Sequence, residues 1–204
     1  MIIGINGKKS SGKNTVYDII KKYSELTNYP KLIVESSFAR LVKESAAASL
    51  GIEVATLEKL KNEKEALVSL SLYGINTSQM TVREYLQKYG TEAHRDVFDN
   101  DFWVDQLLPL DHTYDDVIYI ITDARFLNEI NRIKQLANSK NQTEIWKIVR
   151  PSLEDKDLHI SEKDLPDKYC DRIIINDGTM EDLEKKVISA FIRSQIWYGD
   201  KELA

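Results

Sequence analysis

Residues 7–15 read Gly-Lys-Lys-Ser-Ser-Gly-Lys-Asn-Thr and stand between an apolar run, 2–6, and a helical pattern that begins at Val16. Strand, glycine-bounded loop, lysine and then helix is the phosphate-binding P-loop arrangement. Successive backbone N–H groups and a helix N-terminus converge on one anion, and Lys13 adds a full positive charge. A glycine- and lysine-rich surface turn is the plain alternative, but such a turn rarely falls between a first strand and a first helix. The loop therefore predicts a nucleotide triphosphate held by Gly7, Lys8, Lys9, Ser10, Ser11, Gly12, Lys13, Asn14 and Thr15. Asn14 departs from the pattern, because Ser or Thr usually supplies a hydroxyl to Mg²⁺ at that place. Its carboxamide oxygen is a hard ligand suited to Mg²⁺ or to a water on it.

The bulk of the chain sets the limits within which that loop works. With 204 residues it is long enough for one sizeable α/β domain. Eight glycines and four prolines leave little room for flexible linkers. The formal net charge of −5 gives no global basic field for a nucleic-acid polymer, whereas a small anion needs only the local lysines 8, 9 and 13. A single cysteine, Cys170, excludes an internal disulfide and reads as a packing residue of a protein in a reducing cytosol. No apolar run reaches the length of a membrane span. The first core strand begins at residue 2, so neither a signal nor a transit peptide is expected, and the predicted location is cytoplasmic.

Strand-like apolar runs occur at 2–6, 31–35, 117–122, 144–149 and 172–176. Helical periodicity separates them at 15–25, 37–49, 54–72, 81–108, 126–138 and 179–196. Strands that alternate with helices predict right-handed crossovers and a parallel sheet covered on both faces. The runs Val-Ile-Tyr-Ile-Ile and Ile-Ile-Ile are continuously apolar, as doubly buried strands are. Two stretches exceed a minimal sheet-plus-helices domain: the charged helical stretch 53–73 and the polar stretch 151–170. In an enzyme these serve as movable covers at the carboxyl ends of the strands; otherwise they are surface decoration.

Asp123 directly follows the strand 117–122, where a P-loop enzyme carries its second metal-orienting group. The alternative is the N-cap of the helix that begins near Phe126. Arg125 stands two residues on and offers a planar fork that matches phosphate oxygens. Arg150 ends the strand 144–149 and faces the same carboxyl edge of the sheet. In the helical stretch 81–95 the periodicity pauses at Gly90. Arg83, Tyr89 and Arg95 are its candidate acceptor-binding residues, against the alternative of core aromatics and solvated charges. The charged segment 155–166 is either a lid over bound phosphates or a solvated loop. His94 and His159 lack the ligand spacing of a zinc site, and no nucleophile elbow or Cys/His pairing argues for covalent catalysis.

Several of these residues together resemble the bacteriophage deoxynucleoside monophosphate kinases of the P-loop nucleotide-kinase superfamily. The resemblance is carried by the loop 7–15, by Leu-Gln-Lys-Tyr-Gly-Thr-Glu at 86–92 with Phe-Trp-Val at 102–104, and by Thr-Asp-Ala-Arg at 122–125. It continues through Ile-Val-Arg-Pro at 148–151, His-Ile-Ser-Glu at 159–162 and Leu-Pro at 165–166 to Ile-Ile-Asn-Asp-Gly at 174–178. Asn14 is a family-like variation, since that family resembles Gly-Lys-(Asp/Asn)-Thr at this point. Residues 50–80 match nothing in the family's pattern.

The resemblance implies a single three-layer α/β domain over 1–204 with a five-stranded parallel sheet. Its core would be 1–50, 115–150 and 171–204, its helical acceptor-binding insertion about 51–110 and its lid about 151–170. It also implies ATP with Mg²⁺, and transfer of the γ-phosphoryl group to a 2′-deoxynucleoside 5′-monophosphate in phage DNA-precursor synthesis in the host cytoplasm. Lys13, Asp123, Arg125 and Arg150 would then be the catalytic residues, Asn14 and Asp123 the metal-side residues, and Arg125 a holder of the acceptor phosphate. The expected partners are ATP and a dNMP, with no nucleic-acid polymer and no membrane; a homodimer is allowed for. The competing readings are a kinase of another small metabolite (phosphomevalonate- or dephospho-coenzyme A kinase-like), a nucleotide-dependent binding module and a nucleic-acid end kinase.

Overall fold

The apolar runs pair into one sheet. In the computed structural model, which describes residues 1–63, 67–72, 75–110, 117–138, 141–153 and 165–199, the chain runs β1 (Ile2–Asn6), α1 (Lys13–Thr27), β2 (Leu32–Ser36), α2 (Phe38–Ser49), α3 (Val54–Asn62), β3 (Leu67–Leu72), β4 (Ile75–Thr81), α4 (Val82–Lys88), a π-helical segment (Tyr89–Arg95), α5 (Phe102–Leu107), β5 (Val117–Ile121), α6 (Leu127–Gln135), β6 (Thr143–Val149), a 3₁₀ turn (Asp167–Tyr169), β7 (Arg172–Ile175) and α7 (Met180–Gly199). The larger sheet has the order β2-β5-β1-β6-β7 with every neighbour parallel. The fold is α/β with a five-stranded parallel sheet, as the alternation of strand and helix patterns predicts.

Two compact units make up the chain, 1–37 with 108–204 and 38–107. The first unit is built around the sheet. Its central strands are doubly buried, and so β1 carries five buried residues in a row. On one face Ile3, Ile5, Ile118, Ile120, Trp146 and Ile148 pack with Val16, Ile19 and Ile20 of α1 and Leu183, Val187 and Phe191 of α7. On the other, Ile133 of α6 fills the space above Gly4. Helices on both faces make the unit three-layered.

One charged cluster is built into this core. Glu144 is 4% exposed and accepts hydrogen bonds from Arg172 (Nε, 2.7 Å), the Trp146 indole (2.6 Å) and Ser194 (2.8 Å). Burial pushes its carboxyl up, but these donors and the Arg172 charge together hold it below the usual glutamate range.

The second unit is mostly helical, with a small core of Ala46, Ala47, Leu57, Val82 and Tyr85. Lys43 of α2 pairs with Glu58 of α3. The helix expected over 54–72 is not continuous. It ends at Asn62, and Leu67–Leu72 pairs antiparallel with β4 instead. Leu-Val-Ser-Leu-Ser-Leu alternates with period two over most of its length, which suits a pleated strand better than a helical stripe. The pattern 81–108 also divides. A Thr81/Glu84 capping box starts α4, and the ladder widens at Tyr89 into the π-helical segment before α5.

Candidate active site

Asn6 ends β1 and Lys13 begins α1, so the six residues between them turn the chain back across the carboxyl edge of the sheet. The turn needs backbone conformations that side chains resist. Gly7 has φ +144° and Gly12, the N-cap of α1, has φ +108°. A Cβ on Gly7 would collide with the Ile148 carbonyl oxygen of β6. The Lys13 side chain folds back over the loop, donating to the carbonyls of Gly7 (2.6 Å) and Lys8 (2.7 Å). It is only 8% exposed. A positive charge is thus held at the mouth of a ring of main-chain groups.

The loop shares a cleft of about 460 Å³ with the end of β6 and the turn from β7 into α7. Ser10, Gly12, Lys13, Asn14 and Thr15 line it together with Arg150, Asn176, Gly178, Thr179, Met180 and Leu183. Among the described residues this lining holds two cations and no carboxylate, a balance suited to a polyanion. Arg150 is exposed, immediately after β6. The β7–α7 turn is stiffened by a reciprocal cap: Thr179 donates its N–H to Asp182 (2.9 Å), and Asp182 donates its own to the Thr179 hydroxyl (3.2 Å). The N–H and hydroxyl of Thr179 hold the Asp182 carboxyl below the usual aspartate range. Residues 176–183 were not among the expected site residues. The Thr-x-x-Asp cap just before a long apolar helix pattern is the sequence signal that marks such a turn.

Asp123 and Arg125 follow β5, the neighbour of β1 on its other side. The Ala124 N–H donates to the Ile5 carbonyl (3.0 Å), and the Asn6 carboxamide donates to the Ala124 carbonyl (2.8 Å). This short stretch is therefore clamped against the end of β1. Asp123 is buried, 7% exposed. At the start of α6 the Glu129 carboxylate accepts the N–H groups of Arg125 (2.7 Å) and Phe126 (3.0 Å).

Arg83, Tyr89 and Arg95 belong to the second unit. Arg83 is half-buried on α4. The Tyr89 hydroxyl shares a hydrogen bond with Ser45 (2.9 Å), and its ring centroid lies 4.4 Å from that of His94, the rings tilted by 48°. Arg95 is buried and donates to the Asn100 carbonyl (3.3 Å). Of the segment 155–166, residues 155–164 lie outside the described residues. Its return is anchored by Lys147, which donates to the Leu165 carbonyl and to Asp167, both at 2.7 Å. Among the described residues no group of three or more His, Cys, Asp or Glu side chains forms a metal cluster. No helix there is long and apolar enough to cross a membrane.

The family model of deoxynucleotide monophosphate kinase matches residues 33–187. The deoxynucleotide monophosphate kinase of Enterobacteria phage T4 is 32% identical over 115 residues, 53% of this chain, and that of Escherichia phage RB69 is 33% identical over 113 residues, 52% of it. The matched parts are 44% and 43% of the two phage proteins, so this chain matches less than half of their length. Among solved structures, the Mycobacterium tuberculosis APS kinase aligns over 92% of this chain and 94% of its own, with a TM-score of 0.40 and 11% identity. The family model spans about three quarters of the sequence, and this chain belongs to the deoxynucleotide monophosphate kinase family.

Proposed function

We propose that this protein transfers the γ-phosphoryl group of ATP to a deoxynucleoside 5′-monophosphate. One observation carries the reading: Lys13 and Arg150 line one cleft with the main chain of the phosphate loop, in a chain of this kinase family. Phosphoryl transfer asks a protein chiefly for positioning and for neutralising charge. The loop 7–15 cradles the ATP phosphates, which replace the carbonyls of Gly7 and Lys8 as partners of the Lys13 ammonium. Arg150 holds the transferring group and Arg125 the acceptor phosphate. No general base is needed, since a monophosphate oxygen is already anionic. Arg83, Tyr89 and Arg95 are the candidate acceptor contacts of the second unit, and the 151–166 segment excludes water so that ATP is not hydrolysed.

The donor set fits Mg²⁺. Asn14 offers a carboxamide oxygen in the cleft lining and Asp123 a carboxylate at the adjoining strand end, both hard oxygen ligands. When bound, the ion neutralises phosphate charge; Asn14 and Asp123 would hold it, directly or through water. The expected setting is DNA-precursor synthesis in the cytoplasm of a phage-infected host, with small nucleotides as partners and a homodimer allowed for.

Product analysis with ATP-Mg²⁺ against a panel of dNMPs and NMPs tests the proposal. A deoxynucleoside diphosphate is the expected product, and a folded Lys13→Ala protein loses most of the rate. Diphosphate formation at the normal rate by that variant would sink the assignment of Lys13. ADP release with no phosphorylated acceptor would favour a nucleotide-dependent binding module, while turnover only of another phosphorylated metabolite or of oligonucleotide ends would favour those kinases.

A further inference from the structure

The side chain of Asn176 makes one hydrogen bond whose consequence falls on the phosphate loop. Its Nδ2 donates to the Ser11 carbonyl at 2.8 Å, joining residues 165 apart in sequence. The Ser11–Gly12 peptide is trans. In a trans peptide the C=O and the following N–H point in opposite directions. Drawing the Ser11 carbonyl toward Asn176 therefore turns the Gly12 N–H away from it. Gly12 is the N-cap of α1 at φ +108° and lines the cleft, and the N–H groups of a helix's N-terminal turn are the donors that an anion there meets.

Two further observations give the contact its directing character. A Cβ built on Gly12 would lie 2.9 Å from Asn176 Nδ2, so Asn176 occupies the space that a side chain at residue 12 would fill. The main chain of Asn176 is fixed independently, its N–H donating to the Val149 carbonyl at 2.7 Å, one residue before Arg150. One residue thus ties together the loop, the strand end that precedes Arg150, and the turn from β7 into α7 that lines the same cleft.

From this we infer that Asn176 is a positioning residue: it sets the orientation of the Ser11–Gly12 peptide and so pre-forms the anion-binding face of the phosphate loop. The inference rests on the ATP-binding reading above. A pre-aimed donor costs no reorganisation when the anion arrives, whereas a peptide free to rotate must be ordered first. Loss of Asn176 should therefore weaken the donor nucleotide selectively.

The test measures dissociation constants of ATP-Mg²⁺ and of a dNMP for the wild type, Asn176→Asp and Asn176→Ala. Asp keeps the shape but its ionised carboxylate only accepts, so it repels the Ser11 carbonyl; Ala removes the contact. The expected result is an ATP Kd raised about 10- to 100-fold in both folded variants, the size of effect that misplaced positioning groups produce, with the dNMP Kd within about 3-fold of wild type and Asp at least as impaired as Ala. An unchanged ATP Kd, or equal weakening of both ligands, overturns the inference about Asn176 alone. A wild type that does not bind ATP overturns the functional reading and this inference with it. If both variants fail to fold, the wild-type Gly12 amide resonance decides: a downfield shift on ATP titration is expected, and a resonance that does not move overturns the inference.

Discussion

At the scale of the residue, the sharpest constraint is the methyl group that Gly7 lacks. Its φ of +144° and the Ile148 carbonyl above it leave no place for a Cβ. Gly7→Ala is expected to destabilise the protein by about 2–3 kcal/mol, from backbone strain together with the clash. Urea unfolding measures this, and a midpoint equal to wild type would contradict it. Glu144 sets a second expectation. Its folded carboxyl titrates below the ordinary glutamate value of about 4.3, so at mildly acid pH the unfolded chain binds more protons than the folded one. The stabilisation from Glu144 is therefore complete above that ordinary value and is lost as the pH falls through the depressed one. Glu144→Gln should cost about 3 kcal/mol at pH 7, because it removes the buried carboxylate that pairs with Arg172. The gap between the two stability curves should close as the pH falls from 5 toward 3, while a constant gap would show that Glu144 contributes no ionic stabilisation. The loop itself was legible in the sequence because its glycines, lysines and flanking elements are contiguous. Asn176 and Glu144 were not: each acts on groups that only the fold brings to it.

At the scale of the element, local patterns conveyed strands well and helix ends less well. The continuous apolar run of β5 marks a strand of the buried parallel sheet, whereas the Ile-Ile-Ile run of β7 misleads: β7 is an edge strand, and Ile173 and Ile175 are 46% and 45% exposed. The stretch after residue 62 misled because the charged residues before it carry helical propensity, and only the alternation of serine with leucine reveals a strand. The candidate site divides in the same way. Lys13 and Arg150, both singled out from the sequence, line one cleft, whereas the part of its lining from residues 176–183 was not anticipated. The π-helical segment depends on a donor outside itself: the buried Trp103 indole donates to the Gly90 carbonyl at 2.8 Å. Trp103→Phe keeps an aromatic ring but removes that donor, leaving a buried acceptor without it. A loss of about 1–3 kcal/mol in denaturant unfolding is expected. A midpoint unchanged from wild type would mean that the segment does not rely on the indole.

At the scale of the whole molecule, a ligand that binds only the folded state stabilises it by mass action. ATP-Mg²⁺ at about 100 times its Kd should add roughly 2.7 kcal/mol and raise the melting temperature accordingly. Lys13→Ala should melt near the wild type in the absence of nucleotide but gain little from it. An equal gain in both proteins would remove Lys13 from the binding site. The phosphate loop has one more consequence, and it concerns the order in which the molecule assembles. The motif is complete within the first fifteen residues, yet its shape is closed by Ile148 and Asn176, far along the chain. Contacts of such long sequence separation form late, after the entropy of closing the intervening chain has been overcome. A growing chain that has reached residue 100 has therefore made every lysine of the loop but not its closed shape, which waits until the segment 148–176 folds against it.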